Sequence, residues 1–326
     1  MINSVVKRKL NVAKLSVGSN LLLVVLKVIV GLVIGSVSVL SEAIHSGVDL
    51  LAAIIAWFAV RTSSRPADDN HPFGHGKVEN ISGTIEALLI FLAAGWIIFE
   101  AVHKLLKPEP MNEAFWGIMV MLFSSITNLL VSQRLFQVGR QTDSVALQAD
   151  AWHLRTDVYT SAGVMFGLAV IWLGKWRWPE VDLNWIDPAA AIAVALLIIK
   201  AAWDLTVQSA RDLLDVGLPH DEITLIREHI LSQVPMVRSI HRFRTRKSGA
   251  SRFVEFHMLV DPAMSVDESH RVTDVITLSI REHYPETSVT IHIEPCNGQC
   301  EPKCVGNCLL SDQDRQEVRA NGPKSN

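Results

Sequence analysis

At 326 residues the chain has room for two or three domains, and 49% of it is apolar against only 19% charged. A formal net charge of −3 gives no basis for nucleic-acid binding. All four cysteines fall in one C-terminal segment, which leaves the rest of the chain without the means for a disulfide framework.

The opening, "MINSVVKRKLNVAK", is basic but runs into a long apolar stretch without a small-residue cleavage site, so no secretory signal is expected. Six apolar runs follow, at about 14–34, 37–60, 81–103, 115–135, 146–173 and 187–207, and about 20 such residues span a hydrocarbon core. With both termini on one side, that side holds nine basic residues: Lys7, Arg8, Lys9, Lys14, Arg61, Arg65, Lys77, Arg134 and Arg140. The other side holds four, Lys104, Lys107, Lys175 and Arg177. The asymmetry predicts cytoplasmic N and C termini.

The second run, "SEAIHSGVDLLAAIIAWFAV", carries Glu42, His45 and Asp49 in its first half, where ionisable groups are costly. The fifth repeats the pattern as "DAWHLRTD", with Asp150, His153 and Asp157. At about 100° per residue, acid, His and Asp fall within an arc of about 60° on each helix. His45, Asp49, His153 and Asp157 together offer two imidazoles and two carboxylates, a set that suits tetrahedral Zn²⁺. The competing reading makes each His–Asp pair a helix–helix hydrogen bond; one pattern in two copies favours the ligand reading. Glu42 and Asp150, a turn earlier, either orient the two His rings or are charges near a helix end.

Between the second and third runs, "PADDNHPFGHGK" offers Asp68, His71 and His75 within eight residues. Such a loop is either a metal site or simply solvated. After residue 210 the pattern becomes that of a soluble domain. "HDEITLIREHILSQV" predicts an amphipathic helix, and "SIHRFRTRKSGASRFVEFHMLVD" a hairpin turning at Ser248-Gly249. "SVDESHRVTDVITLSIREHY" predicts a helix opened by a Ser265–Glu268 capping box, and "SVTIHIEP" a last strand. This αββαβ order is a small ferredoxin-like α+β domain with helices on one sheet face. It places His241, His257 and His292 on the three strands, with Glu294 on the face of His292 and His270 on the second helix. The tail holds Cys296, Cys300, Cys304 and Cys308 at C-x3-C spacing; a soft-metal clamp and a plain thiol-rich segment both remain open. The expected divisions are a cytoplasmic segment at 1–13, six membrane helices at 14–209, a soluble domain with candidate metal ligands at 210–295 and a Cys-containing mobile tail without periodicity at 296–326.

Six spans, the paired H-x3-D motifs, the "DDNHPFGHGK" loop and the αββαβ domain together resemble the cation diffusion facilitator family over roughly residues 10–295. The resemblance implies a homodimer in the inner (plasma) membrane that exchanges divalent metal ions for protons by alternating access. It implies His45, Asp49, His153 and Asp157 as the transport site, and Asp68, His71 and His75 as a loop site. In the cytoplasmic domain it implies His241, His257, His270, His292 and Glu294, with Lys77 salt-bridged to Asp215 between protomers. Two positions depart from the bacterial zinc/iron exporters, which carry Asp where this chain has His45 and Glu294. His45 favours Zn²⁺ as substrate and regulatory ligand, with Fe²⁺, Cd²⁺, Co²⁺ and Ni²⁺ open; no organic cofactor is expected. An enzyme is disfavoured because four protein ligands leave no position for water and no H-E-x-x-H run occurs. A metal-sensing membrane scaffold without transport is the remaining alternative.

Overall fold

The computed structural model describes residues 2–34, 37–106, 115–177, 185–232, 236–298 and 308–321. The chain divides into two compact units, Met1–Leu213 and Leu214–Asn326.

Among the described residues, the first unit forms six helices: α1 (Ile2–Ile34), α2 (Val37–Ser63), α3 (Lys77–Leu106), α4 (Phe115–Gln141), α5 (Val145–Arg177) and α6 (Ile186–Leu213). Each of the six expected runs falls inside one of them. At 1.5 Å per residue, lengths of 27–33 residues give roughly 40–50 Å. Among the described residues, four segments are long and apolar enough to cross a membrane: Ser4–Val33, Ala43–Ser63, Lys77–His103 and Pro188–Leu213. Large side chains such as Leu22, Leu32, Leu92, Trp96, Leu197 and Trp203 point outward. The buried faces are rich in alanine: Ala52, Ala53, Ala56, Ala87, Ala94, Ala149 and Ala202 are all fully buried. Small residues at contacts let helix backbones approach where lipid supplies no hydrophobic drive.

Two buried clusters organise this unit. One joins α1, α2, α4 and α5 through residues such as Ala13, Val60, Leu135 and Leu154. The other joins α3, α5 and α6 through Ala87, Ile90, Ala149, Ile198 and Leu205. Helix α5 belongs to both.

The second unit runs α7 (His220–Leu231), β1 (Ser239–Ser248), β2 (Ser251–Val260), α8 (Val266–His283) and β3 (Thr287–Pro295). The sheet order is β1-β2-β3, with β1 antiparallel to β2 and β3 parallel to β2. Alternation sends Val254, Phe256, Met258 and Val260 of β2 inward against Ile226 and Ile230 of α7 and Val272, Ile276 and Ile280 of α8. The hairpin closes on the Ser248–Ser251 pair, one residue later than expected. Gly249 turns it at a φ of 58°, a conformation costly for side-chain-bearing residues.

The Ser265–Glu268 capping box forms as expected: the Ser265 side chain accepts from the Glu268 N–H, and Glu268 accepts from the Ser265 N–H. The Ser265 N–H, and after it the Ser265 hydroxyl, donate to the Glu268 carboxylate and hold it below its ordinary range. Ser265→Ala should destabilise the domain by about 1 kcal/mol, read as lost hydrogen-exchange protection in the first turn of α8. Unchanged protection there would show that packing alone fixes that turn.

The segment after β3 departs from expectation. Cys308 makes an antiparallel bridge to Ser239. Leu309 donates its N–H to the Arg238 carbonyl at 2.9 Å. Leu310 is buried, and helix α9 (Asp312–Asn321) follows. Apart from the adjacent Leu309 and Leu310, the large aliphatic residues of this segment, Val305 and Val318, are too scattered to set a period.

Candidate metal centres

The first centre lies between α2 and α5. His153 Nε2 stands 3.2 Å from Asp49 Oδ1, and His45 Nε2 stands 3.7 Å from Asp157 Oδ1. The pairing is crossed: each histidine faces the other helix's aspartate, not the one four residues along its own. Ligand atoms of His45, Asp49 and Asp157 lie within 4.8 Å of one another. Bonds of about 2 Å in a tetrahedron separate donors by about 3.3 Å, a spacing these three atoms can approach; His153 meets the group at Asp49. Asp49 and His153 are buried, whereas the His45 side chain is 53% exposed.

Asn128 of α4 donates through Nδ2 to Asp157 Oδ2 at 3.3 Å. Nothing in the sequence reading pointed to it, because an amide in an apolar run has no spacing signature. Glu42 lies one turn before His45, and its side chain falls outside the described residues. Asp150 is fully buried one turn before His153. Among the described residues, neither His153 Nδ1 nor either Asp150 oxygen has a hydrogen-bond partner of normal geometry, so no hydrogen bond joins the two.

The second centre is the loop between α2 and α3. Asp68 accepts backbone N–H bonds from His71 at 2.7 Å and Asn70 at 3.1 Å. Its oxygens also meet His71 Nδ1 at 3.1 Å and His75 Nε2 at 3.3 Å. The backbone bond from His71, more than any other contact, holds the Asp68 carboxyl below its ordinary range. Gly74, at a φ of 82°, turns the chain so that the two imidazoles lie 4.3 Å apart.

The third centre crosses the sheet on the face away from the helices. His241 pairs with His257, and His257 with His292, so three imidazoles occupy one rung of three strands. Their centroids are 5.1 and 4.6 Å apart along the rung. A bulge between His241 and Arg244, with Arg242 at a φ of 51°, lets β1 present both His241 outward and Phe243 toward the core. Glu294 is the hub, reaching His257 Nδ1 at 2.7 Å, His241 Nε2 at 3.2 Å and His292 Nε2 at 3.5 Å. His270 does not join them; it sits exposed on α8 beside Asp274 at 3.2 Å.

Partial burial alone would raise the Glu294 carboxyl, but the His257 hydrogen bond and the three histidine charges outweigh it and hold it below the ordinary range. A depressed carboxyl adds stability above its unfolded pKa and loses it as pH falls through the folded one. Metal-free protein should therefore lose hydrogen-exchange protection in β3 on acidification below the ordinary glutamate range. Glu294→Gln should flatten that loss, and an identical acid profile would refute the linkage.

Cys296 and Cys308 are free thiols; Cys300 and Cys304 lie outside the described residues. Lys77 donates to the Leu213 carbonyl at 3.4 Å, and Asp215 faces Arg246 at 3.6 Å. A further hub escaped the sequence reading. Buried Glu79 accepts from Lys9 Nζ and Ser63 Oγ, each at 2.8 Å, and from Ser144 Oγ at 2.5 Å.

Comparison with known proteins adds the following. Residues 13–214 match the family description "Cation efflux transmembrane domain", and residues 218–296 match "Cation efflux protein, cytoplasmic domain". An uncharacterized transporter of Synechocystis sp. is 34% identical over 283 residues, covering 87% of this chain and 89% of that protein. The cation-efflux pump FieF of Escherichia fergusonii is 32% identical over 276 residues, covering 85% of this chain and 89% of the pump. The structure of the metal-bound C-terminal domain of the CzcD transporter from Thermotoga maritima is 31% identical, with a TM-score of 0.22, over 24% of this chain and 94% of that one.

Proposed function

The chain belongs to the cation diffusion facilitator family of membrane cation efflux proteins, and on that premise we propose that it exports Zn²⁺ from the cytoplasm in exchange for protons. The observation that carries this reading is the crossed His–Asp quartet between two helices of the membrane unit. Four protein donors can satisfy an ion fully and leave no position for a reacting water, which suits carriage and not hydrolysis. Metal ligands must be deprotonated, so protons compete with metal for His45 and His153, and release on the outer side follows their protonation.

The positive-residue asymmetry supports an inner-membrane orientation with both termini cytoplasmic. The rung of histidines around Glu294 supports a cytosolic metal sensor on a homodimer, in which His270 comes from the facing protomer and Lys77 and Asp215 pair across the interface. Asp68, His71 and His75 provide a third binding position. The nitrogen at position 45 favours Zn²⁺; His45→Asp should shift preference toward Cd²⁺ or Fe²⁺.

The test is Zn²⁺ flux in proteoliposomes under an imposed pH gradient, with internal pH followed at the same time. Flux that rises with the gradient and dissipates it is the expected result. Flux indifferent to the gradient would remove proton exchange. Zn²⁺-dependent compaction of residues 210–295 without flux would mark a sensor.

A further inference from the structure

The basic run near the start of the chain divides in two. Lys9 turns inward and pairs with buried Glu79. Lys7 and Arg8 instead line a cavity of about 380 Å³ between the first turns of α1 and the last turns of α4, and Arg134 of α4 lines it from the other side. Asn11 and Gln137 add side-chain amides to the same wall. All five are exposed on the surface of the membrane unit. Among the described residues, none of the three cations meets a carboxylate; Arg134 donates to the Gln137 amide oxygen at 3.5 Å.

Cations gathered around one opening without a counter-charge repel one another. A ligand that gains from such a cavity brings negative charge and accepts several N–H bonds at once. A phosphate does both, taking the forked donors of arginine and the point charge of lysine on its oxygens.

The two helices indicate which phosphate. As the first and fourth crossings, α1 and α4 run opposite ways. Helical steps from Asn11 to Leu15 and Leu22, and from Arg134 back to Leu130, Ile126 and Phe123, therefore both lead toward the hydrocarbon core. Those five apolar side chains are 48–58% exposed. A cationic mouth at the membrane surface thus tops an apolar outer stripe. A free phosphate ion would use the mouth alone, whereas a phospholipid uses both. A zwitterionic headgroup would bring an ammonium back among three cations, which an anionic headgroup does not.

We propose that the α1–α4 seam binds one anionic phospholipid, its phosphate held by Lys7, Arg8 and Arg134 and its acyl chains lying along Leu15, Leu22 and Leu130. Anionic lipids favour juxtamembrane basic clusters in general; here the cations converge on a cavity, so the lipid is held in one place and ties α1 to α4. The metal quartet plays no part in this binding, so the two readings stand or fall separately.

The experiment titrates the full-length protein, in a neutral detergent, with phosphatidylglycerol and counts bound lipid by native mass spectrometry. One lipid per chain should bind more tightly than any that follow. Arg8→Ala and Arg134→Ala should each weaken it about fivefold, the share of one basic residue at a membrane surface. Arg134→Lys, which keeps the charge, should bind nearly as wild type. Arg65→Ala, which removes a basic residue outside the cavity, should change nothing. Equal weakening by Arg65→Ala would mean a diffuse basic field and overturn the proposal. Phosphatidylcholine bound as tightly as phosphatidylglycerol would overturn it too, because charge would not select the lipid. Displacement of the lipid by millimolar inorganic phosphate would assign the cavity to the free anion instead. Thermal unfolding identifies any misfolded variant, and alanine variants that unfold and bind lipid as wild type does also overturn it.

Discussion

Zn²⁺ flux should fall more than about 100-fold in Asp49→Ala and in Asp157→Ala, since losing a residue that merely orients a ligand already costs about 10–100-fold. The geometry makes the two losses equivalent. Asp49 and Asp157 each face a histidine of the opposite helix, at 3.2 and 3.7 Å. Removing either leaves three donors and frees the histidine it oriented. Asn128, which donates to Asp157 and would act on a bound ion through it, gives a graded control: Asn128→Ala should cost about tenfold. Flux measured alongside Zn²⁺ affinity separates a lost ligand from a misfolded bundle. Either aspartate variant transporting at the wild-type rate would mean that the quartet is a helix contact.

The second large effect concerns stability. Glu79 and Lys9 form an ion pair with side chains 1% and 8% exposed. Glu79 also gathers hydroxyls from the end of α2 and the start of α5. Glu79→Ala strands a buried ammonium and the buried Ser144 hydroxyl, while Ser63 keeps the Val60 carbonyl; breaking such a pair costs about 3–5 kcal/mol. Replacing both partners by apolar residues of similar volume, Lys9→Met with Glu79→Leu, removes the stranded charge and should recover most of that loss. Thermal unfolding in detergent of the two singles and the double gives the coupling. A Glu79→Ala protein as stable as wild type would show that water reaches Lys9.

The same contrast separates what could be read in the sequence from what could not. Lipid-facing helices must be apolar over their length, so α1–α6 stood out as runs. Strands alternate, so β2 and β3 were visible along with the face that carries His257 and His292. The repeated acid–His–Asp pattern brought out the four residues proposed as the transport site. Its crossed pairing did not show, because that depends on how α2 lies against α5. Nor did the Glu79 hub: its partners Lys9 and Ser144 are 70 and 65 positions away, and no spacing rule reaches so far. The start of α9 was marked, by Ser311 three residues before Asp314, whose N–H it accepts at 3.2 Å.

The short return of the chain at Cys308–Leu309 bears on solubility. The β1 strand is an outer strand of its sheet, and such a flank bares unpaired N–H and C=O groups to which another chain can add a strand. Residues 308 and 309 occupy the start of that flank, and Leu310 anchors them by burial. A chain cut after Cys296 would keep all three sheet-rung histidines and Glu294 but lose this guard. Its cytoplasmic domain would then be open to edge-to-edge aggregation, a fault that metal-binding assays alone could mistake for ligand-driven assembly.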